Sequence, residues 1–177
     1  MRDPDPRTVE RARRGDLSAF EELVRAYQAD VYRFAVHLTH DRSLAEDVTQ
    51  DAFLRAFRFL GGFRGGTTFG AWLFRIARNC AMDSLKRERP TMFRPLQERD
   101  GRAISDAAST VELGAALGAV SEEHRETFLL VEVFGLTYLE TSDVLGVAVG
   151  TVKSRMFRAR RALAAALSER DEGEEAT

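Results

Sequence analysis

The sequence predicts an all-α fold of two small helical domains joined by a flexible linker, with a helix-turn-helix in the C-terminal domain. Ser or Thr residues followed three positions later by Glu recur along the chain and match capping boxes at helix starts. Apolar residues between them keep three- and four-residue spacing, and no alternating pattern indicates strands. The 177 residues, 44% of them hydrophobic and 31% charged, suffice for one core or two small ones.

The N-terminal domain is predicted at residues 1–90 and contains three long helices. They are predicted at about 18–38, 43–60 and 69–89, because apolar residues keep helical spacing over these ranges. Capping boxes mark the first two starts, pairing Ser18 with Glu21 and Ser43 with Glu46. The segment 61–68 is too glycine-rich for regular structure, so a loop is predicted before the third helix.

The segment 91–108 is predicted to be the linker, because helical periodicity stops there and both Pro95 and Gly101 interrupt it. The C-terminal domain follows at residues 109–167, with helices predicted at about 110–119, 122–134, 138–145 and 149–167. Its capping signals are Ser109 with Glu112, Thr137 with Glu140, and Ser121 before two glutamates. Residues 168–177 are predicted to form an acidic tail, since this segment contains five acidic residues and a single basic one, Arg170.

The composition excludes several classes of site. Cys80 is the only cysteine, which rules out an intramolecular disulfide and a CxxC metal site. The three histidines, His37, His40 and His124, are too scattered along the sequence for a metal site. No paired carboxylates or nucleophile with a base converge in the sequence, so we expect no catalysis, no metal and no cofactor.

No apolar stretch could serve as a signal peptide or span a bilayer, so we expect a cytoplasmic protein without membrane insertion. The formal net charge is only −2, so nucleic-acid binding cannot be argued from the whole chain. The charges are segregated, however, and Lys and Arg dominate residues 153–161. Any argument for DNA binding therefore rests on that segment.

Residues 137–163 have the layout of a helix-turn-helix: a short capped helix, a tight turn at Gly146 and a longer second helix. One stripe of the second helix is apolar and consists of Val152, Met156, Ala159 and Leu163. The opposite face is cationic and carries an aromatic ring, whereas a solvated face usually mixes both charge signs. This combination of positive charge and an aromatic ring predicts a DNA-binding surface formed by Lys153, Ser154, Arg155, Phe157, Arg158 and Arg161.

The residue types on this surface allow particular contacts with DNA. Arg158 can donate two hydrogen bonds to guanine, Ser154 can bond several base edges, and Phe157 can touch a thymine methyl group. The remaining cations can equally bind phosphates, which position a protein without reading sequence. They are Lys153, Arg155, Arg160 and Arg161. The sequence leaves both roles open for these four residues.

The run 149–155 (VGTVKSR), with its continuation to residue 163, closely resembles the promoter-reading helix of the ECF (extracytoplasmic-function) sigma factors. These are the smallest specificity subunits of bacterial RNA polymerase. Residues 45–53 (AEDVTQDAF) resemble the polymerase-binding segment of the family, and residues 69–83 resemble its second signature. The resemblance covers about residues 19–163, with the blocks in the family's order and separation.

The resemblance implies that Asp47, Gln50 and Asp51 dock on a basic coiled coil of the largest polymerase subunit. These residues lie about one turn apart on one helix, and an exposed row of carboxylate and amide groups suits arginine side chains. Without the resemblance, an ordinary solvated helix face explains the same three residues equally well.

The resemblance also implies that loop 61–68 and the next helix hold a flipped base of the melted promoter strand near the start site. The residues assigned to this start-proximal element are Phe63, Arg64, Thr67, Arg75, Arg78 and Asn79. Arg64 can meet phosphate and Phe63 or Phe69 can stack on a base, whereas Trp72 is predicted to pack in the core with Cys80. From the residues alone, a merely flexible connection is the better interpretation of the loop.

The predicted function is that of an alternative sigma factor that binds core RNA polymerase and directs promoter-specific initiation of transcription. The partners implied are the largest polymerase subunits, promoter DNA in double-stranded and melted form, and an anti-sigma factor. The alternatives are a stand-alone dimeric helix-turn-helix regulator and a small nucleic-acid hydrolase. The sequence departs from the family at Thr141, Ser142 and Ala148, where an apolar residue, an alanine and a turn proline are more common.

Overall fold

The computed structural model describes residues 4–88, 117–118 and 120–174. The chain divides into two compact units, Met1–Arg99 and Asp100–Thr177. Helices and turns account for the regular structure throughout the described ranges, which confirms the predicted all-α fold. The predicted linker at 91–108 and the capping box of Ser109 with Glu112 lie outside the described residues.

The first unit contains four α-helices and one short 3₁₀ helix. The α-helices are α1 (Pro6–Arg13), α2 (Leu17–Thr39), α3 (Arg42–Phe59) and α4 (Phe69–Glu88). The 3₁₀ helix Leu60–Gly62 occupies the start of the segment predicted to be a loop. Its core includes two buried edge-to-face ring pairs, Tyr27 with Phe69 and Phe34 with Phe74.

Helices α2 and α3 begin on aspartates rather than on the predicted serines. The carboxylate of Asp16 accepts from the Ala19 N–H at 3.0 Å, and that of Asp41 accepts from the Leu44 N–H at 3.0 Å. Each aspartate stands two residues before the predicted Ser18 or Ser43 and supplies the side-chain acceptor that a helix start requires. The capping boxes predicted at these serines are therefore wrong by half a turn.

Helix α1 was not predicted, because its eight residues carry too few apolar side chains for a periodic signal. Asp5 caps it by accepting from the Arg7 N–H at 2.8 Å, and Pro6 occupies its first position, where a missing N–H costs nothing. Val9 and Ala12 are buried against the rest of the unit. An ion pair between Arg11 and Asp16 joins the end of α1 to the start of α2.

The second unit contains α5 (Glu122–Phe128), a π-helical turn (Leu129–Val133), α6 (Tyr138–Leu145) and α7 (Val149–Glu174). The single helix predicted over 122–134 thus widens midway, with the Phe134 N–H donating to the Leu129 carbonyl. Helix α7 extends to Glu174, so its backbone continues into the predicted acidic tail. No helix of the described residues is long and apolar enough to cross a membrane.

The capping box of Thr137 and Glu140 is confirmed. The Thr137 N–H donates to the Glu140 carboxylate at 2.8 Å, and the Glu140 N–H donates to the Thr137 hydroxyl at 3.2 Å. Ser121 stands at the predicted cap of α5, but its hydroxyl pairs with Nδ1 of His124 and makes no capping bond. The strongest start signal in this unit is therefore the one that begins the helix-turn-helix.

Candidate nucleic-acid and protein interfaces

The turn between α6 and α7 is held by Ser142 and Gly146. Gly146 adopts a left-handed conformation with φ +68°, and its N–H donates to the Ser142 carbonyl at 2.9 Å. The Ser142 hydroxyl donates to the Val147 carbonyl at 2.7 Å, which ties the residue after the turn back to α6. Ser142, a departure from the family pattern, therefore stabilises the turn.

The second helix of the motif places its residues as the periodicity predicted. Val152, Met156, Ala159 and Leu163 are buried at 5% exposure or less and form the inward stripe. Lys153, Ser154, Phe157, Arg158 and Arg161 are exposed on the outer side of α7. The Ser154 hydroxyl donates to the Thr151 carbonyl at 2.9 Å, which leaves its oxygen able to accept from a base edge.

Two cations of α7 have acidic partners within the unit. Arg155 donates to Glu123 at 2.7 Å, and its side chain is only 16% exposed. Arg160 pairs with Glu132 in the same way. Sequence reasoning missed both pairs, because the partners lie 28 or more positions apart and no local signal connects them. Of the six residues assigned to DNA, Arg155 is therefore the one that pairs with an acidic residue in the described part of the chain.

Phe157 and Arg161 form a pair on the exposed side of α7. The Arg161 guanidinium lies over the Phe157 ring, 5.7 Å from its centroid, and 62% of Phe157 is exposed. Lys153 and Arg158 make no ion pair with any residue that the structure describes. Among the described residues, the face thus presents two cations without an ion pair, next to an aromatic ring and a stacked guanidinium.

The three candidate docking residues on α3 differ in their surroundings. Asp47 and Gln50 are exposed, and Leu54, one turn further along the same face, is 68% exposed. Asp51 instead pairs with Arg55 at 2.9 Å, and Arg55 also reaches Asp83 of α4 at 3.3 Å. The exposed side chains of this candidate docking face are therefore Asp47, Gln50 and Leu54, and the leucine was not among the residues predicted from the sequence.

Cys80 is fully buried beside the ion-pair network of Asp51 and Arg55, as its place on the α4 stripe predicted. Burial, together with the nearby Asp51 carboxylate, raises the pKa of its thiol to about 12. The thiol stays protonated at neutral pH. Cys80 is thus a core residue without the thiolate character that redox sensing needs.

The loop between α3 and α4 carries an aromatic cluster. The Phe63 ring lies 5.2 Å from Trp72 and 6.2 Å from Phe69, measured between ring centroids. Phe69 is 3% exposed and belongs to the core, whereas Phe63 and Trp72 are half-buried at its edge. The prediction of a core position for Trp72 is therefore only partly right, and Phe63 is the ring that the loop offers at the surface.

A cavity of about 350 Å³ opens between this loop and α1. Arg64 is exposed beside it, and the Thr67 hydroxyl is buried with no hydrogen-bond partner among the described residues. On α4, Arg75 and Asn79 are exposed one turn apart, while Arg78 is half-buried and interacts within the protein. The loop residues of the start-proximal set are thus brought together at one cavity, with Arg75 and Asn79 on the helix that follows.

Comparison with known proteins identifies both units. Sigma-70 region 2 matches residues 23–91 and the region 4 family of sigma-70 matches residues 110–163. The RNA polymerase sigma-H factor of Pseudomonas aeruginosa is 36% identical over 92% of this chain and 93% of its own length. The ECF RNA polymerase sigma factor SigM of Mycobacterium tuberculosis is 36% identical over 85% of this chain and 78% of its own length. The chain belongs to the ECF family of RNA polymerase sigma factors.

Solved structures agree with this sigma factor in fold. CnrH, solved with the cytosolic domain of CnrY, matches with a TM-score of 0.69 and 28% identity over 92% of this chain and 96% of CnrH. The sigma factor RpoE of Bartonella quintana, solved with the anti-sigma factor NepR, matches with a TM-score of 0.66 and 27% identity over 84% of this chain and 96% of RpoE. The helix-turn-helix of this sigma factor therefore lies in region 4, and α2, α3 and α4 lie largely in region 2.

Proposed function

We propose that this sigma factor binds core RNA polymerase through α3 and directs promoter-specific initiation by reading DNA with α7. The observation that carries the proposal is the cationic, aromatic outer face of α7 above a fully buried apolar stripe. An α-helix with this division fits the major groove, with its inner stripe packed on the domain. Supporting it, the other unit presents an acidic and apolar face that cannot bind phosphate.

At the distal promoter element, Arg158 and Ser154 read base edges and Phe157 contacts a thymine methyl group. Lys153 binds a phosphate, because it is exposed and has no ion-pair partner in the described part of the chain. Arg161 stacks on Phe157 and orients its ring. Arg155 contributes through its ion pair with Glu123, which fixes α7 on α5.

At the start-proximal element, the loop 61–68 binds a flipped base of the melted strand. Phe63 is the stacking ring, Arg64 meets a phosphate, and the unpaired Thr67 hydroxyl bonds the base. Arg75 and Asn79 extend this site along α4, where their exposed side chains can follow the strand. Arg78 supports the site from its half-buried position.

Polymerase docking uses Asp47 and Gln50 for hydrogen bonds and Leu54 for apolar contact. A carboxylate and an amide one turn apart suit a basic partner, and a largely exposed leucine beside them supplies area to bury. Asp51 orients Arg55 toward α4 and keeps the docking helix fixed on the strand-binding helix. This division of roles within the acidic set is a proposal from the geometry of α3.

An anti-sigma factor is a further proposed partner, by analogy with the solved relatives. The exposed apolar residues of the first unit give such a partner protein a surface to cover. They are Leu17, Leu54, Phe57 and Phe59. The proposed role is non-enzymatic and places the protein in the cytoplasm, where polymerase and promoters lie.

Run-off transcription with purified core polymerase on a genomic DNA library tests the proposal. Specific transcripts should appear only when the sigma factor is added, and their upstream sequences should share two elements. Gel filtration with and without core polymerase separates this role from that of a stand-alone regulator. A free dimer that ignores polymerase and yields no transcripts would overturn the proposal.

A further inference from the structure

The cavity beside loop 61–68 has a second wall that belongs to α1. Its volume of about 350 Å³ falls at the lower end of small-ligand sites, which span about 300–1,000 Å³. The lining residues include Pro6, Val9 and Arg13 from α1, and Phe63, Arg64 and Thr67 from the loop. Helix α1 lies before residues 23–91, which match region 2, so the match assigns no role to this wall.

The chemistry of the lining fits a nucleotide. Phe63 supplies an aromatic edge. The buried Thr67 hydroxyl has no hydrogen-bond partner among the described residues, so a ligand with a polar edge can form a hydrogen bond with it. Arg13 and Arg64 bring one guanidinium from each wall. A flat, polar-edged base joined to an anionic phosphate satisfies all four groups.

We infer that α1 completes the single-strand site and that Arg13 binds a phosphate of the nucleotide held there. The inference rests on the proposed function of loop 61–68 and adds a residue from outside the matched region. With Arg64 on the facing wall, Arg13 forms a two-sided clamp, so the strand is held from both the loop and the N-terminal helix.

The local ion pairs leave Arg13 able to do this. Glu10 accepts from Arg13 at 2.9 Å through one carboxylate oxygen and from Arg14 at 3.0 Å through the other. Two arginines therefore balance one carboxylate. Only one guanidinium nitrogen of Arg13 donates to Glu10, and its other donors remain for a phosphate.

Arg14 is a matched control for Arg13. It is the adjacent residue, carries the same charge and shares Glu10, but it is absent from the cavity lining and its side chain is 78% exposed. Replacing either arginine by alanine leaves the buried contacts of Val9 and Ala12 in place. The two variants therefore differ mainly in whether the arginine that is lost lines the cavity.

The experiment measures binding of the labelled non-template strand of a promoter found by run-off transcription to reconstituted holoenzyme, over a series of salt concentrations. Arg13→Ala should weaken binding about fivefold or more and lower the salt slope by about 0.7, the value for one phosphate contact on a single strand. Arg14→Ala should leave both quantities near wild type. Arg64→Ala should behave like Arg13→Ala.

Replacing single phosphates of the strand by neutral methylphosphonates locates the contact. One position should weaken the wild type while leaving Arg13→Ala unchanged, because the contact is already lost in that variant. If Arg64→Ala weakens binding but Arg13→Ala matches Arg14→Ala, the inference about α1 is overturned while the loop keeps its role. If wild-type holoenzyme ignores the strand, the proposed function of the loop itself falls.

Discussion

The guanidinium of Arg155 donates to the carboxylate of Glu123 over 2.7 Å and joins α7 to α5. Only 16% of the Arg155 side chain is exposed, whereas Arg158, one turn along the helix, is exposed and has no ion pair within the described ranges. Two arginines of the same basic run therefore have different tasks. Arg155 joins α7 to α5 within its unit, and we propose that Arg158 is available to contact DNA.

Alanine variants of these two arginines should separate those tasks. Arg158→Ala should cost about 1–3 kcal/mol of promoter affinity and relax the preference at one base pair. Arg155→Ala should cost less than about 1 kcal/mol of promoter affinity, because the Arg155 guanidinium is held by Glu123. Fluorescence anisotropy with promoter and mutated duplexes measures both. Equal losses for Arg158→Ala on all DNA sequences would remove its base-reading role.

Lys153 should act through its charge alone. Lys153→Ala should weaken binding to every duplex to a similar extent and lower the salt slope by about 0.9, the value for one phosphate contact on B-DNA. Arg160→Ala is the control, since Arg160 already pairs with Glu132 and its loss should change the slope less. A slope unchanged by Lys153→Ala would contradict the phosphate contact.

Charge reversal on α3 should separate polymerase binding from folding. Asp47→Lys should weaken association with core polymerase at least tenfold, since it opposes a basic partner with like charge. The melting temperature should stay near wild type, because Asp47 is exposed and has no ion pair in the described part of the chain. Glu46→Lys, about a quarter turn away, should weaken association less. Unchanged binding of Asp47→Lys would rule out the docking face.

The Cys80 thiol should resist modification in the native protein. Its pKa is raised to about 12 by burial, so at pH 8 a thiol-specific reagent should label the native chain far more slowly than the unfolded chain. Because the native thiol keeps its proton above the ordinary value of 9.0, Cys80 contributes stability that falls as pH rises from about 9 toward 12. Rapid labelling of the native chain would contradict the burial of Cys80. The Cys80→Ser variant is the control and should not be labelled.

The capping box of Thr137 should stabilise the second unit by about 1 kcal/mol. Trp72 is the only tryptophan and lies in the first unit, so its fluorescence reports the unfolding of that unit. Thr137→Ala should leave the fluorescence transition in urea unchanged and shift part of the circular dichroism transition to lower urea. Ser121→Ala should shift it less, because Ser121 makes no capping bond. Equal shifts from the two variants would contradict the assignment.

Much of this fold was predictable because its signals are local. The buried stripe from Val152 to Leu163 follows from helical periodicity, and the Thr137 box from two residues three positions apart. The start of α2 was misplaced because Asp16 and Ser18 are both good caps, and only the geometry shows which side chain accepts from the Ala19 N–H.

Site features that depend on distant residues were not predictable in the same way. The partner of Arg155 comes from another helix, and the cavity needs both α1 and the loop. The family resemblance named Asp47 and Asp51 together, although Asp51 pairs with Arg55 and Asp47 makes no ion pair in the described part of the chain. Sequence patterns give the face of a helix, but not which of its charges is already neutralised by a neighbour.

The position of Pro4 in the lining of the cavity has a practical consequence. An affinity tag fused before Met1 joins the chain three residues before Pro4, so we expect a bulky tag to obstruct the proposed single-strand site. A tag after Thr177 follows α7 in the other unit instead. Open-complex formation should therefore be measured with a cleaved or C-terminal tag.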